Sequence, residues 1–113
     1  MGSELWTGSS ERFRLSSVTA CGRTTVAAIG EVDLDSSPQL SAALDVAVSD
    51  GADRVDVDFS RVTFCDCAGL NALLAARCRC WGAGVVFGVF GPVSPVVLRL
   101  FRVTEVIETL PVR

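Results

Sequence analysis

Residues 62–74 read VTFCDCAGLNALL, in which two thiols, Cys65 and Cys67, flank one carboxylate, Asp66, where a strand-like run gives way to helical spacing. Metal binding, thiol chemistry and recognition of a partner are the three uses such a corner allows. Cys65, Cys67, Cys78 and Cys80 form two C-x-C pairs of zinc-ligand type. If Cys67 opens a helix, a rise of about 1.5 Å per residue puts Cys78 roughly 16 Å away, beyond the reach of one ion. The chain also has no His. No metal is expected. Without His a Cys nucleophile lacks its usual base, and no paired carboxylates mark a shared cleft, so neither an enzyme nor a cofactor is expected. GAGVVFG at 82–88 has the glycines of a phosphate loop, but it follows a helix and enters a strand, the reverse of the order that chemistry needs. Asp66 itself has two readings, a cap for the helix start or a group that meets a partner. The unpaired N–H groups of a helix start favour an anion, so a phosphate on the first helical residue would be accommodated there.

The elements that must position this corner follow from periodicity. Residues 12–20 and 24–33 read as two strands joined at CGR, the second carrying Val26, Ala28 and Ile29, and together predict a hairpin. Ser37 and Pro38 are a cap and a first helical position, followed by Leu40, Ala43, Leu44, Ala47 and Val48 on one helical face, with Asp50 and Gly51 closing it. RVDVDFS at 54–60 alternates Val55, Val57 and Phe59 against Arg54, Asp56 and Asp58, a strand with one wet face. A parallel strand covered on both faces would be apolar throughout, so helices should crowd mainly onto one side. A second helix from Cys67 to about Trp81 should bury Leu70, Leu73, Leu74, Cys78 and Trp81, leave Cys80 at the surface, and end at Gly82 or Gly84. VVFGVF at 85–90 is a more buried strand. SPVVLRLFRV at 94–103 repeats the Ser cap and Pro start before Val97, Leu100 and Phe101. The sum is α/β: a single small domain over 12–113, with a mixed four- to five-stranded sheet and helices mainly on one face, preceded by a flexible leader over 1–11.

Composition narrows the function classes. The chain of 113 residues is 50% hydrophobic with a net charge of −3, which suits one domain and gives no basic footprint for nucleic acid. Five cysteines, an odd count, fit a reducing cytosol better than a disulfide framework, so a cytoplasmic location is expected. Residues 80–98 carry no charge over nearly the length of a membrane span. Gly82, Gly84, Pro92 and Pro95 divide that run into turn, strand, turn and helix start, so no membrane is expected.

Three blocks, GEVDLDSSP at 30–38, VDVDFSRVTFCDCAGLNALL at 55–74 and GVFGPVSPVVLRLFRVTEV at 88–106, resemble the signature blocks of STAS domains, specifically the anti-sigma factor antagonists of bacteria. The resemblance covers roughly residues 12–110 and is most specific at Asp66, Gly69 and Leu70. It implies a non-enzymatic regulatory module whose partner is an anti-sigma factor, a serine kinase of the histidine-kinase-like ATPase fold. It also implies a switch by phosphorylation of a Ser or Thr just after the motif's Asp. Cys67 occupies that phosphoacceptor position and Ala68 the next, so neither offers a hydroxyl. Asp33, Thr63, Asp66, Cys67, Ala68 and Asn71 are the partner-binding residues the resemblance implies, on a protein expected to be monomeric. The alternative on the same scaffold is a redox sensor with Cys67 as its thiol and Cys65 as the resolving thiol, or a scaffold subunit.

Overall fold

A computed structural model describes residues 3–9, 12–104 and 112. Five strands and three helices run in the order β1 (Ser3–Ser9), β2 (Phe13–Ala20), β3 (Arg23–Val32), α1 (Ser37–Ser49), β4 (Arg54–Cys65), α2 (Cys67–Ala83), β5 (Val86–Phe90) and α3 (Pro95–Val103). The sheet order is β1-β2-β3-β4-β5. β1, β2 and β3 pair antiparallel, and β3, β4 and β5 pair parallel, so the sheet is mixed as expected. Residues 3–9, expected within a flexible leader, instead pair with Arg14–Thr19 of β2. The hairpin alone leaves that edge of β2 open, and Trp6 and Thr7 are strand-favouring types.

The predicted hairpin turns at Cys21 and Gly22, whose φ values of 52° and 78° are those of the two-residue turn that matches strand twist. By register, Leu15, Val26, Ala28, Val55, Val57 and Val89 share one face of the sheet, all buried. Helices α1 and α2 pack against the strands and against each other, and α3 packs on β4. The α1 stripe is as read: Leu40, Leu44 and Ala47 are buried, with Ala43 and Val48 packed beside them. Its cap lies one residue earlier, at Ser36. Val97 and Phe101 anchor α3, and the Ser94 hydroxyl accepts from Val97 N–H at 3.4 Å.

Two further expectations change. The buried face of α2 is Gly69, Leu70, Ala72, Leu73, Ala76 and Cys80. Leu74 is half-buried, Cys78 is exposed and Trp81 is 82% exposed. Small residues let α2 lie close to its neighbours, so alanines, not the larger Leu74 and Trp81, occupy the contact. Cys78 and Cys80 therefore exchange the places expected of them. The second change concerns Asp56, placed on a wet face by the alternation of β4 but only 1% exposed. Two arginines cover it, with Arg23 Nε 2.5 Å from Oδ2 and Arg54 Nε 2.9 Å from Oδ1. The helix α2 ends at Gly84 in the left-handed region, φ 72°, where Val85 N–H reaches Cys80 O at 2.8 Å. The uncharged run 80–98 is thus divided among α2, β5 and α3, and no described helix is long and apolar enough to cross a membrane.

Candidate functional site

Parallel strands β3 and β4 end side by side, which brings distant sequence blocks to one corner. Val32 and Cys65 are register partners, and the Asp66 N–H donates to Val32 O at 3.1 Å, so Asp33 and Asp66 leave adjacent strands as the next residues. The carboxyl ends of parallel strands are where open α/β sheets place their ligands. Two bulges let β4 reach this point: its register against β3 shifts between Ala27 and Ile29 and again between Gly30 and Glu31.

Each member of the Asp66, Gly69, Leu70 motif has a physical task. The Asp66 Oδ1 accepts from Ala68 N–H at 2.9 Å and Gly69 N–H at 3.1 Å, capping α2. Gly69 faces the strand ends: an added Cβ would stand 2.7 Å from Cys65 Sγ, 2.7 Å from Val32 Cγ1 and 3.1 Å from Val32 O. Leu70 is buried in the core. The motif therefore caps the helix, lets it approach the sheet and fastens it there.

Asp33 organises the second loop. Its Oδ1 accepts from Asp35 N–H and Ser36 N–H, both at 3.0 Å, and from the Ser36 hydroxyl at 3.1 Å. The Ser36 backbone N–H foremost holds this carboxyl below the usual carboxylate range, against the opposing effect of desolvation. A cleft of about 230 Å³ lies beside it, lined by Arg12, Glu31, Asp33, Asp35 and Gln39 among others.

The six residues expected to bind a partner fall into one neighbourhood of the chain. Asp66 and Ala68 are half-buried, as is Asp33, while Thr63, Cys67 and Asn71 are exposed. Cys67 is the first residue of α2, and Asn71 follows it one turn later on the same side of the helix. Sequence reasoning missed Leu34, 74% exposed between two acids, and Phe64, 40% exposed beside Cys65. An apolar residue inside the acidic turn DLDSS was the available signal for Leu34. The Cys65 thiol is buried, and desolvation foremost pushes its pKa up to about 12. Cys21, Cys67 and Cys78 are exposed, and all five cysteines are free. Among the described residues no three His, Cys, Asp or Glu side chains converge as a metal site would require. Asp33 thus holds the turn after β3, Asp66 caps α2, and Cys67 is exposed next to them.

Comparison with known proteins identifies the family and the fold. A family model described as Mlab, STAS domain, matches residues 16–111. No curated protein matches significantly. Among solved structures, an anti-sigma factor antagonist from Mycobacterium paratuberculosis is 26% identical, with a TM-score of 0.80 over 92% of this chain and 87% of that one. The anti-sigma factor antagonist SpoIIAA in its unphosphorylated form is 20% identical, with a TM-score of 0.73 over 89% of this chain and 87% of that one. The Bacillus cell fate determinant SpoIIAA in the phosphorylated form is also 20% identical, with a TM-score of 0.67 over 89% and 90% of the two chains. At 20% identity the last two speak for the fold alone. A sheet of this order, a helix started by Asp66 and seated by Gly69, and a family match over 16–111 make the chain a member of the STAS domain family, with the fold of the anti-sigma factor antagonists.

Proposed function

We propose that the chain is a non-enzymatic regulatory module that binds an anti-sigma serine kinase of the histidine-kinase-like ATPase fold through residues 62–71 and Asp33. Cys67 stands where the family carries its phosphoacceptor. An antagonist-like STAS fold supports a regulatory role in general. The observation that carries the specific reading is the exposure of Cys67 as the first residue of α2, directly after its Asp66 cap and beside the Asp33 loop. A partner covering that point would meet the helix start and the acidic loop together. A phosphoryl group on residue 67 would lie at the start of α2, where the Ala68 and Gly69 amides already donate to Asp66 Oδ1, and would add about −1.5 to −2 charges next to that carboxylate. A thiol is not a serine kinase's acceptor, so the proposed module binds without that switch. It works as a monomer in the cytoplasm, with neither nucleic acid nor membrane as partner.

The redox alternative loses support at Cys65. A resolving thiol must ionise and be reached, whereas Cys65 is 3% exposed and its thiol is held protonated well above neutral pH.

The test uses purified chain and the candidate kinases of the source cell with ATP. Wild type should form a complex yet take up no phosphate, Cys67→Ser should be phosphorylated at residue 67 and then dissociate, and Cys67→Asp should bind more weakly. Asp66→Asn, which keeps the capping oxygen, should weaken the complex without lowering stability. Wild-type affinity in Cys67→Asp and Asp66→Asn together would place the partner elsewhere.

A further inference from the structure

Helix α2 starts at the partner-binding corner and, about 20 Å further along its axis, ends in a groove that the proposed function does not use. Its last turns and the first residues of β5 form the walls. Gly84, in the left-handed region at φ 72°, turns the chain, and Val85 N–H returns to Cys80 O at 2.8 Å, so Val86 and Phe87 enter the sheet beside the helix that packs on β5. The groove holds about 460 Å³ and is lined by Arg77, Trp81, Gly84, Val85, Val86 and Phe87. That volume lies in the range of small-molecule sites, about 300–1,000 Å³.

The lining joins a broad apolar surface to one cation. Trp81 is 82% exposed and Val86 51%, while Val85 and Phe87 are half-buried and held in place by packing on the core. An added Cβ at Gly84 would meet nothing within 4 Å, so the turn leaves the mouth of the groove open. Arg77 stands one turn before Trp81 on the same side of α2. It is half-buried and makes no hydrogen bond or ion pair with any described residue, whereas Arg79, two residues on, is paired with Asp45 of α1. No carboxylate lines the groove, so the Arg77 guanidinium is its one charged group. The Cys80 and Trp81 carbonyls at the end of α2 are already taken by Val85 N–H at 2.8 Å and Gly84 N–H at 3.3 Å. A half-buried cation without a counter-ion, set beside aromatic and aliphatic walls, is complementary to an anion with an apolar body.

We infer that this groove binds a small aromatic carboxylate, with its carboxylate on the Arg77 fork and its ring against Trp81 and Val86. A guanidinium meets a carboxylate through two parallel N–H···O bonds, a match of shape as well as charge. The indole gives a ring a wide flat partner, and a flat body loses less rotamer freedom on binding than a flexible chain of the same area.

The full chain, labelled with ¹⁵N, is titrated with sodium cinnamate and, separately, with the uncharged cinnamamide. Saturable shifts at the amides of Gly84, Val85, Val86 and Phe87, at the Trp81 indole N–H and at Arg77 Nε are the expected result, with cinnamamide bound about tenfold more weakly, the scale of one lost charged contact. Arg77→Gln should lower the affinity for cinnamate to that for cinnamamide and leave cinnamamide binding unchanged. Trp81→Ala, whose side chain lies outside the core, should weaken both ligands alike. Shifts that do not saturate or that centre on other residues, equal binding of the two ligands to wild type, or undiminished cinnamate affinity in either folded variant would overturn the assignment. Shifts at the same amides on raising the protein concentration alone would place a second copy in the groove and overturn it too. Should Arg77→Gln fail to fold, the wild-type comparison and Trp81→Ala decide.

Discussion

Gly69→Ala and Gly82→Ala are the same substitution in the same helix, and they should move stability in opposite directions. At Gly82 an added Cβ meets nothing within 4 Å, so only the backbone effect remains and the variant should gain about 0.5–1 kcal/mol. At Gly69 the methyl meets Cys65 Sγ and Val32 Cγ1, each at 2.7 Å, with Val32 O behind them at 3.1 Å. Cys65 is 3% exposed and Val32 not at all, so neither side chain can swing into solvent. Overpacking of this kind costs about 1–3 kcal/mol, and two contacts this short place Gly69 in the upper half of that range. Subtracting a helical gain of at most about 1 kcal/mol leaves a net loss of about 1–2 kcal/mol. For a chain of this size that lowers Tm by roughly 4–8 °C. Urea unfolding followed by far-UV circular dichroism reads both variants, with unchanged m-values as the sign that only the native state moved. Cys65→Ala in the Gly69→Ala background removes one of the two contacts and should restore part of the loss. A Gly69→Ala protein at least as stable as wild type would refute the close approach of α2 to the strand ends.

Three further outcomes follow from burial and charge. Leu73→Ala, fully buried on α2, should cost about 2–5 kcal/mol in the same unfolding assay, and half-buried Leu74→Ala clearly less; equal costs would mean the helix faces the core differently. Brief iodoacetamide treatment of the native protein should label Cys21, Cys67 and Cys78 and spare Cys65 and Cys80 until denaturant is added; native labelling of Cys65 by mass spectrometry would contradict its burial. The alkaline limb carries a defined sign: the Cys65 thiol is raised from 9.0 to about 12 and Cys80 is raised too, so both ionise more readily when unfolded. Stability should be intact below about pH 9 and decline as pH rises toward 12, and Cys65→Ala should flatten that decline.

How far the sequence carried differs from element to element. The α1 stripe was legible because Leu40 and Leu44 are large, regularly spaced and bounded by Pro38 and Gly51. The α2 face was misread because its contact side is built from Ala72, Ala76 and Cys80, which carry little weight in an apolar pattern, while Trp81 and Cys78 lie outside it. Alternation along β4 placed Asp56 on the wet side correctly as to face. Its burial depends on Arg23, thirty-three residues away, which no local pattern reports. At the corner, the three signature blocks brought Asp33 and Asp66 together. What they could not convey was the Val32–Asp66 hydrogen bond that joins the two loops, or the exposed Leu34 and Phe64 beside them.

The cap at Asp66 rests on a single oxygen: Oδ1 takes both amides, and Oδ2 has no partner among the described residues. That division restricts which neighbours in sequence space a descendant of this chain can reach. Asparagine preserves the accepting oxygen and exchanges the other for an amide, so a lineage can lose the outward charge in one step and keep its helix start. Alanine forfeits both at a cost of about 1 kcal/mol. Serine or threonine keeps a cap of shorter reach and abandons the outward group. Drift at this residue should therefore pass through Asn when a recognition surface is being lost. Under the partner-binding proposal it should stay at Asp while such a surface is in use, and the letter found here in a sister sequence would then report on selection for contact separately from selection for folding.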